Sequence, residues 1–340
     1  MLSARVDRHR STVTEPDMLI VSAADERFAA HFAAMLHSAW THHPTAEFYL
    51  LDCGIEPGTL ADLRAFASSR GIQLTFFNID VALFRNLPTT RALSVAVYAR
   101  LLIPDLFPGS IERVLYLDAD CIVVSDLTAL WCFDMGNAAI AAVHDAIGAH
   151  LEREIGIEVD DQGYINSGVM LMNLAVWRRD KLAATAIAFV TRTNPRMLDQ
   201  PGINAACAGK IAFLTEEWNF QLHKPRRPKQ WLEPNIIHYS SEKKPWLHSD
   251  VLLAAIYLHH RNRTPFPIAT PRAVHRSKLR RMLNLLIGRR KYWDQLNLAR
   301  RCDAFTTAYF DRLPRRVATS APASEVRNTP QRILIRTSES

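Results

Sequence analysis

Cysteine is scarce here, and what there is forms no pattern. The 340-residue chain has five, at Cys53, Cys121, Cys132, Cys207 and Cys302, odd in number and scattered, with none of the close spacings of a metal site. That fits a reduced, cytosolic protein and assigns the thiols no chemistry. Long apolar runs are missing too, since no stretch approaches the roughly 18 residues needed to span a bilayer. The opening MLSARVDRHRSTVTEPD lacks the apolar segment of a secretion signal. The expected location is the cytoplasm, at most peripheral on the inner face of the plasma membrane. Internal repeats and low-complexity body segments are absent as well, which leaves a globular body with ample length for an α/β core.

Acidic residues run short at one end. From Pro271 onward there are 16 Lys+Arg against 5 Asp+Glu, while the rest carries 25 against 29, so the overall +7 is a −4 body joined to a +11 tail. A mildly acidic body argues against nucleic acid as partner, and a basic tail argues for an anionic surface. Between Arg276 and Arg301, Leu279, Met282, Leu285, Leu286, Tyr292, Trp293 and Leu296 approximate one helical face ringed by arginines. Three readings stay open for that face: an anionic membrane, a helical partner, or packing on the body. The expected division is a disordered leader over 1–16, a main domain over 17–262, and a basic, amphipathic and partly disordered tail over 263–340.

What is present in the body is an alternation of short apolar runs and helical periodicity. Met18 to Ser22 has the length of a buried strand, and Phe28, Phe32, Met35, Leu36 and Ala39 then recur at helical spacing. Phe48 to Leu51, a helix through Leu60 and Phe66 ending at Gly71, and Gln73 to Phe77 complete a β-α-β-α-β pattern, the mark of a mostly parallel sheet flanked by helices. Ligands in such sheets sit at the carboxyl ends of strands, which singles out Ala23, Ala24 and Asp25. Further strands are expected at Val114–Leu117, Ile140–Val143, Ile165–Leu174, Ile211–Leu214 and Ile236–Tyr239, and helices at Ser94–Leu102, at Val176–Val190 and from near Asp199.

The stretch RVLYLDADCIVVSDLTALW (113–131) runs an apolar strand into two acids one residue apart and returns at once to apolar sequence. Strand interiors exclude unpaired carboxylates. Either the chain turns sharply there, or Asp118 and Asp120 hold a cation; hard divalent ions take such oxygen ligands and keep places for phosphate oxygens. His238 closes a late strand and can add an imidazole, which would favour manganese over magnesium, or it can simply cap the strand. Lys244 is suited to a phosphate or to plain solvent. Asn166-Ser167 reads as sugar-binding polarity or a β-turn, and Asp199-Gln200 as the same polarity or a helix cap.

Together these pieces resemble glycosyltransferase family 8, the retaining enzymes that include bacterial lipopolysaccharide galactosyl- and glucosyltransferases and the glycogenins. The resemblance runs from Met18 to Trp246 through VSAADERF, VYARLLIPDLFP, RVLYLDADCIVVSDLTALW, YINSGVMLMNLAVWR, DQPGIN, EWNFQ and HYSSEKKPW, in the family's order. It implies a GT-A fold, a UDP-sugar donor, a glycan or glycolipid acceptor, and manganese, with magnesium the alternative. It further implies metal ligation by Asp118, Asp120 and His238, uridine contact by Ala23, Ala24 and Asp25, donor contact by Arg100, and diphosphate contact by Lys244. Asp145, Asn166, Ser167, Asp199 and Gln200 fall at positions around the transferred sugar, with Gln200 the candidate to stabilise an oxocarbenium-like state. Two positions depart from the pattern: Ser241 stands for a glycine and Pro201 for a second aspartate. A UDP-sugar hydrolase and a non-catalytic sugar-nucleotide binder are the competing readings.

Overall fold

Apolar strands punctuated by capped helices shape the N-terminal half. The structure, a computed structural model, describes residues 18–89, 95–154, 163–222, 232–248, 250–269, 271 and 290–313. Strand β1 (Leu19–Ala24) ends where the Asp25 carboxylate accepts from the Phe28 backbone N–H at 3.2 Å and starts helix α1 (Glu26–His42). Phe32, Met35, Leu36 and Ala39 are buried on the sheet, as their spacing predicts. Strand β2 (Glu47–Asp52) follows, then α2 (Pro57–Arg70), opened by proline and closed by Gly71 at φ 66°, and β3 (Gln73–Asn78).

The expected helix at 94–102 is a 3₁₀ helix over Val95–Leu102, continued by the single turn α3 (Ile103–Leu106). Strand β4 (Arg113–Leu117), the short β5 (Cys121–Val123), the turn α4 (Thr128–Trp131), β6 (Ile140–His144) and α5 (Ala146–Arg153) come next. Strand β7 (Ile165–Asn173) leads to α6 (Leu174–Arg179) and α7 (Leu182–Thr193), where one helix over 176–190 is expected. The break lies at Asp180–Lys181, with Lys181 at φ 51° and Asp180 bonded to Arg179 and to Lys210. It lets α7 lie against α8 (Asp199–Ala206) so closely that a Cβ on Gly202 would sit 2.7 Å from the Ala186 carbonyl oxygen. Strands β8 (Ile211–Leu214), β9 (Phe220–Gln221) and β10 (Ile236–His238) and helix α9 (Ala254–Arg261) complete the body.

The main sheet has seven strands in the order β3-β2-β1-β4-β7-β6-β8. All pairings are parallel except those of β7, which is antiparallel to both β4 and β6. Because β7 alone is reversed, its first residues lie at the edge where the other strands end, and Val169 pairs with Leu117. A second, three-stranded sheet β5-β10-β9 stands beside that edge. This is the GT-A arrangement.

A second apolar cluster joins Ile122, Phe220, Ile237, Tyr239 and Tyr257 to Cys302, Phe305 and Tyr309 of a helix over Arg290–Arg312. The described part of the basic tail therefore turns this apolar stripe onto the body. Leu279, Met282, Leu285 and Leu286, counted in the expected helical face, lie outside the described residues, as do the leader and residues 314–340. Among the described residues no helix is long and apolar enough to cross a membrane.

The joint between α1, α9 and that helix is lined by histidines. His37 and His260 share a hydrogen bond between their Nδ1 atoms at 2.8 Å, and His260 Nε2 meets the Tyr309 hydroxyl at 2.6 Å. Burial, with Arg70 and Arg263 nearby, lowers His37 to about 3, and burial also holds His260 well below its ordinary value. The unfolded chain, with imidazoles near 6.5, thus binds more protons than the folded one between those limits. Stability is expected to be full above pH 6.5 and to fall as pH drops, by about 1.4 kcal/mol per unit for each imidazole. Urea midpoints at pH 7.5 and 5.0 measure this, and in His260→Gln the loss should shrink by roughly one proton's worth.

Candidate active site

Four strand ends and one helix start converge at the carboxyl edge. Ala23, Ala24 and Asp25 end β1; Asp118 and Asp120 follow β4; Asn166 and Ser167 begin the reversed β7; His238 ends β10; and Asp199 and Gln200 open α8. All of these, with Arg100 and Lys244, line a single cavity. Asp145 is the expected site residue that lies behind it. It is buried, caps α5 through Gly148 N–H, and accepts from Gln200 Nε2 and Asn166 Nδ2, each at 3.3 Å.

The two readings of Asp118-Ala119-Asp120 turn out to be compatible. The chain does turn, with Cys121 N–H donating to the Asp118 carbonyl at 3.0 Å, and the turn aims both carboxylates at His238. His238 Nε2 is 3.3 Å from Asp120 Oδ1 and 3.7 Å from Asp118 Oδ2, while Nδ1 meets Asn219 Oδ1 at 2.9 Å. Two carboxylates and a ring nitrogen face one another closely enough for one cation to meet all three. Oxygen and imidazole donors suit a hard or borderline divalent ion, so these residues fit the expected metal. Cys121 Sγ also lies within 4.8 Å of Asp120 and His238 ligand atoms. Burial, with Asp120 and Asp118 alongside, pushes its thiol well up, and its Sγ faces the Gly168 carbonyl at 3.8 Å; a soft sulfur is the donor in this group least suited to a hard divalent ion.

Gly168 explains how Asp118, Asp120 and His238 fit together. A Cβ there would lie 2.6 Å from Asp118 Oδ2 and closer still to His238 Cε1. Behind the acids, Arg100 Nη2 meets Asp118 Oδ1 at 2.9 Å, its Nε meets Asp199 Oδ2 at 3.1 Å, and its Nη1 donates to the Ser167 carbonyl at 2.8 Å. Burial opposes the guanidinium's charge, but Asp118 and Asp199 outweigh it and raise its pKa. Its donors are thus largely committed to the protein. Burial pushes Asp199 up to about 6 against the pull of Arg100. Lys244 Nζ bonds Asp120 Oδ2 at 2.7 Å and the Tyr239 carbonyl at 2.6 Å. Burial works to protonate Asp120; Lys244 and His238 prevail and hold it well below the usual carboxylate range.

Some residues of the site carry no signal in the sequence. Glu152, fully buried on α5, accepts backbone N–H bonds from Met197 at 2.6 Å and Arg196 at 3.2 Å. It thereby anchors the turn in which Leu198, buried, adopts φ 54° and ψ −108° just before Asp199 and Gln200. A leucine at positive φ is strained by roughly 1–3 kcal/mol, and such strain persists only where surroundings over-determine it. Tyr116 donates to Asp118 Oδ1 at 3.0 Å, and Asn219 stands between His238 and Asn166. Of the two departures, Ser241 lines the cavity and donates to the Lys243 carbonyl at 3.1 Å, and Pro201 is buried in the first turn of α8, where no helical N–H is lost.

Comparison with known proteins agrees with this geometry. A family model described as glycosyl transferase family 8 matches residues 19–250. General stress protein A of Bacillus subtilis is 31% identical over 251 residues, which are 67% of this chain and 87% of that one. The lipopolysaccharide 1,2-glucosyltransferase of Escherichia coli is 26% identical over 60% of this chain and 64% of its own length. The crystal structure of the galactosyltransferase LgtC, in complex with donor and acceptor sugar analogs, superposes with a TM-score of 0.64 at 26% identity, covering 73% of this chain and 96% of LgtC. An active-site mutant of LgtC with glutamate in place of a glutamine superposes at 0.65. The chain, by its family match and its fold, belongs to glycosyl transferase family 8.

Proposed function

We propose that this glycosyltransferase is metal-dependent and retaining, and moves a hexose, glucose or galactose, from a UDP-sugar to a glycan or glycolipid acceptor such as lipopolysaccharide core. The observation that carries the reading is the convergence of Asp118, Asp120 and His238 in one cavity with Lys244 on one side and Gln200 on the other. Asp118, Asp120 and His238 would hold manganese, or magnesium in its place. When bound, the divalent ion supplies positive charge where the departing UDP oxygen becomes negative. Lys244 adds a point charge to the diphosphate, and Arg100 acts chiefly by fixing Asp118 and Asp199. Ala23, Ala24 and Asp25 form the end of the cavity suited to uridine.

Gln200 faces the sugar. Its Oε1 accepts from Ser167 N–H at 3.2 Å and from Asn166 Nδ2 at 3.1 Å, and its Nε2 donates to Asp145. The amide oxygen is thereby oriented, and Asn166 and Asp145 act through it. Gln200→Glu would set a carboxylate oxygen against Asp145 where a donor stood. UDP release is expected to fall by about a hundredfold, the scale of one misplaced polar group at a reacting centre, with manganese affinity unchanged by calorimetry.

The reading assigns catalysis to 17–262 and treats 263–340 as an accessory tail. Arg300 and Arg301, exposed on the C-terminal helix, and the basic segment 276–289 would meet an anionic inner-membrane face. The apolar stripe at Cys302, Phe305 and Tyr309 is occupied by the body and takes no part.

The testing experiment is UDP release from UDP-glucose, UDP-galactose and UDP-N-acetylhexosamines, with manganese or EDTA. Turnover of one donor that needs manganese supports the reading, and free sugar released without acceptor would mark a hydrolase. Failure of every UDP-sugar to bind would sink it.

A further inference from the structure

The metal side and the sugar side of the cavity are joined by a chain of buried amides whose orientation is set from the backbone. Gly168 N–H, which can only donate, bonds Asn166 Oδ1 at 3.1 Å. That fixes which end of the Asn166 amide is oxygen. The group reaching the same oxygen from Asn219 at 2.9 Å must therefore be its Nδ2, a donor. The other end of the Asn219 amide is then Oδ1, an acceptor, and it faces His238 Nδ1 at 2.9 Å. It follows that His238 carries a hydrogen on Nδ1, so that Nε2, beside Asp118 and Asp120, is the nitrogen left to turn a lone pair on a bound cation. In the other direction, Asn166 Nδ2 donates to Gln200 Oε1. Asn219 is 1% exposed and ends the 3₁₀ turn Glu216–Asn219, next to the strand that pairs with His238.

We infer that Asn219 is a positioning residue with two separable duties. Its carbonyl oxygen holds His238 in the ring form that ligates through Nε2, and its amino group holds Asn166, and through it Gln200, in the orientation the sugar side needs. The inference rests on the proposed metal-dependent reading. A bond to the far nitrogen of a ligating histidine sets ring orientation and basicity, and losing it typically costs 10–100-fold in metal affinity.

The two duties predict different results from two variants of the full chain. Asn219→Asp keeps an acceptor for His238 Nδ1 but turns a second acceptor on Asn166 Oδ1. Asn166 can then avoid repulsion only by rotating its amide, which gives up Gly168 N–H and points oxygen at Gln200 Oε1 and Asp145. Asn219→Leu, of similar volume, removes both bonds. Manganese alone is the probe, titrated by calorimetry, with UDP release measured at saturating manganese and melting temperatures recorded for every variant. Asn219→Asp is expected to bind manganese within about threefold of wild type yet lose roughly 30-fold or more in kcat, while Asn219→Leu loses at least about tenfold in both.

Wild-type kcat in Asn219→Asp, or wild-type manganese affinity in a folded Asn219→Leu, overturns the inference. Should Asn219→Leu fail to fold, the split in Asn219→Asp decides alone. Wild-type protein that takes up no manganese overturns the metal-dependent reading itself, a result distinct from variants that merely match a manganese-binding wild type.

Discussion

Asp120→Ala is expected to lose manganese-dependent UDP release by about a thousandfold or more, the equivalent of roughly 4 kcal/mol of transition-state stabilisation. Two separate losses add up in this variant. A carboxylate oxygen is withdrawn from the set facing His238, and Lys244 loses the partner at 2.7 Å that holds its ammonium in the cavity, keeping only the Tyr239 carbonyl. Asp120→Asn separates the two, because an amide oxygen still accepts from Lys244 while the charge is gone. The expected order of activity is wild type, then Asn, then Ala. Manganese titrations of UDP release should show a raised half-saturation for Asn and no saturable response for Ala. Equal activity with and without EDTA in all three proteins would remove the metal from the account. The melting temperature should move little, because the Lys244 side chain retains solvent contact.

Much of this edge was legible in the sequence because period and position are local properties. Met18–Ser22, Phe48–Leu51 and Gln73–Phe77 read as strands and are strands, and the acids after Val114–Leu117 fall at the sheet edge for the same reason. The reversal of β7 was not legible. INSGVMLMNL is apolar on both faces and carries no mark of its direction, yet that direction is what brings Asn166, Ser167 and Gly168 to the ligand edge. The two-residue β9 is too short to show a period, and the break at Lys181 depends on the packing of α7 against α8 rather than on a helix breaker.

Site residues divide along the same line. Asp118 and Asp120 are visible because carboxylates next to an apolar strand demand partners, whereas His238 and Lys244 stand out only through the family resemblance. Asn219 lies within EWNFQ with no local reason of its own, since an asparagine's worth depends on which atoms it meets across the fold. Glu152 carries no mark of its own in the sequence; only the turn at Leu198 shows that its carboxylate holds backbone. Arg100 was expected to touch the donor, and its commitment to Asp118, Asp199 and the Ser167 carbonyl depends on side-chain directions that spacing does not encode.

Gly168→Ala, a one-carbon change with no charge, is expected to cost about a hundredfold in activity, roughly tenfold less than removing an acid. The new methyl would lie 2.6 Å from Asp118 Oδ2 and overlap the His238 ring. Glycine is not needed here for backbone freedom, because β7 is ordinary extended strand at this point. What matters is whether the neighbours can give way. Asp118 is held from behind by Arg100 at 2.9 Å and Tyr116 at 3.0 Å, and His238 by Asn219 at 2.9 Å and by its place in β10. Retreat by either side chain breaks a buried hydrogen bond, at about 1–3 kcal/mol each. The backbone is pinned too, with the Gly168 carbonyl accepting from Asp118 N–H at 2.8 Å. The methyl is therefore accommodated by driving Asp118 and His238 apart. Manganese affinity should fall by about a hundredfold and UDP release with it, against a loss of stability of about 1–3 kcal/mol from overpacking. Calorimetric titration with manganese, set beside urea unfolding of the same protein, measures both. A Gly168→Ala protein that binds manganese like wild type would mean that the ligands move freely, and the close approach of β7 would then have no part in shaping the site.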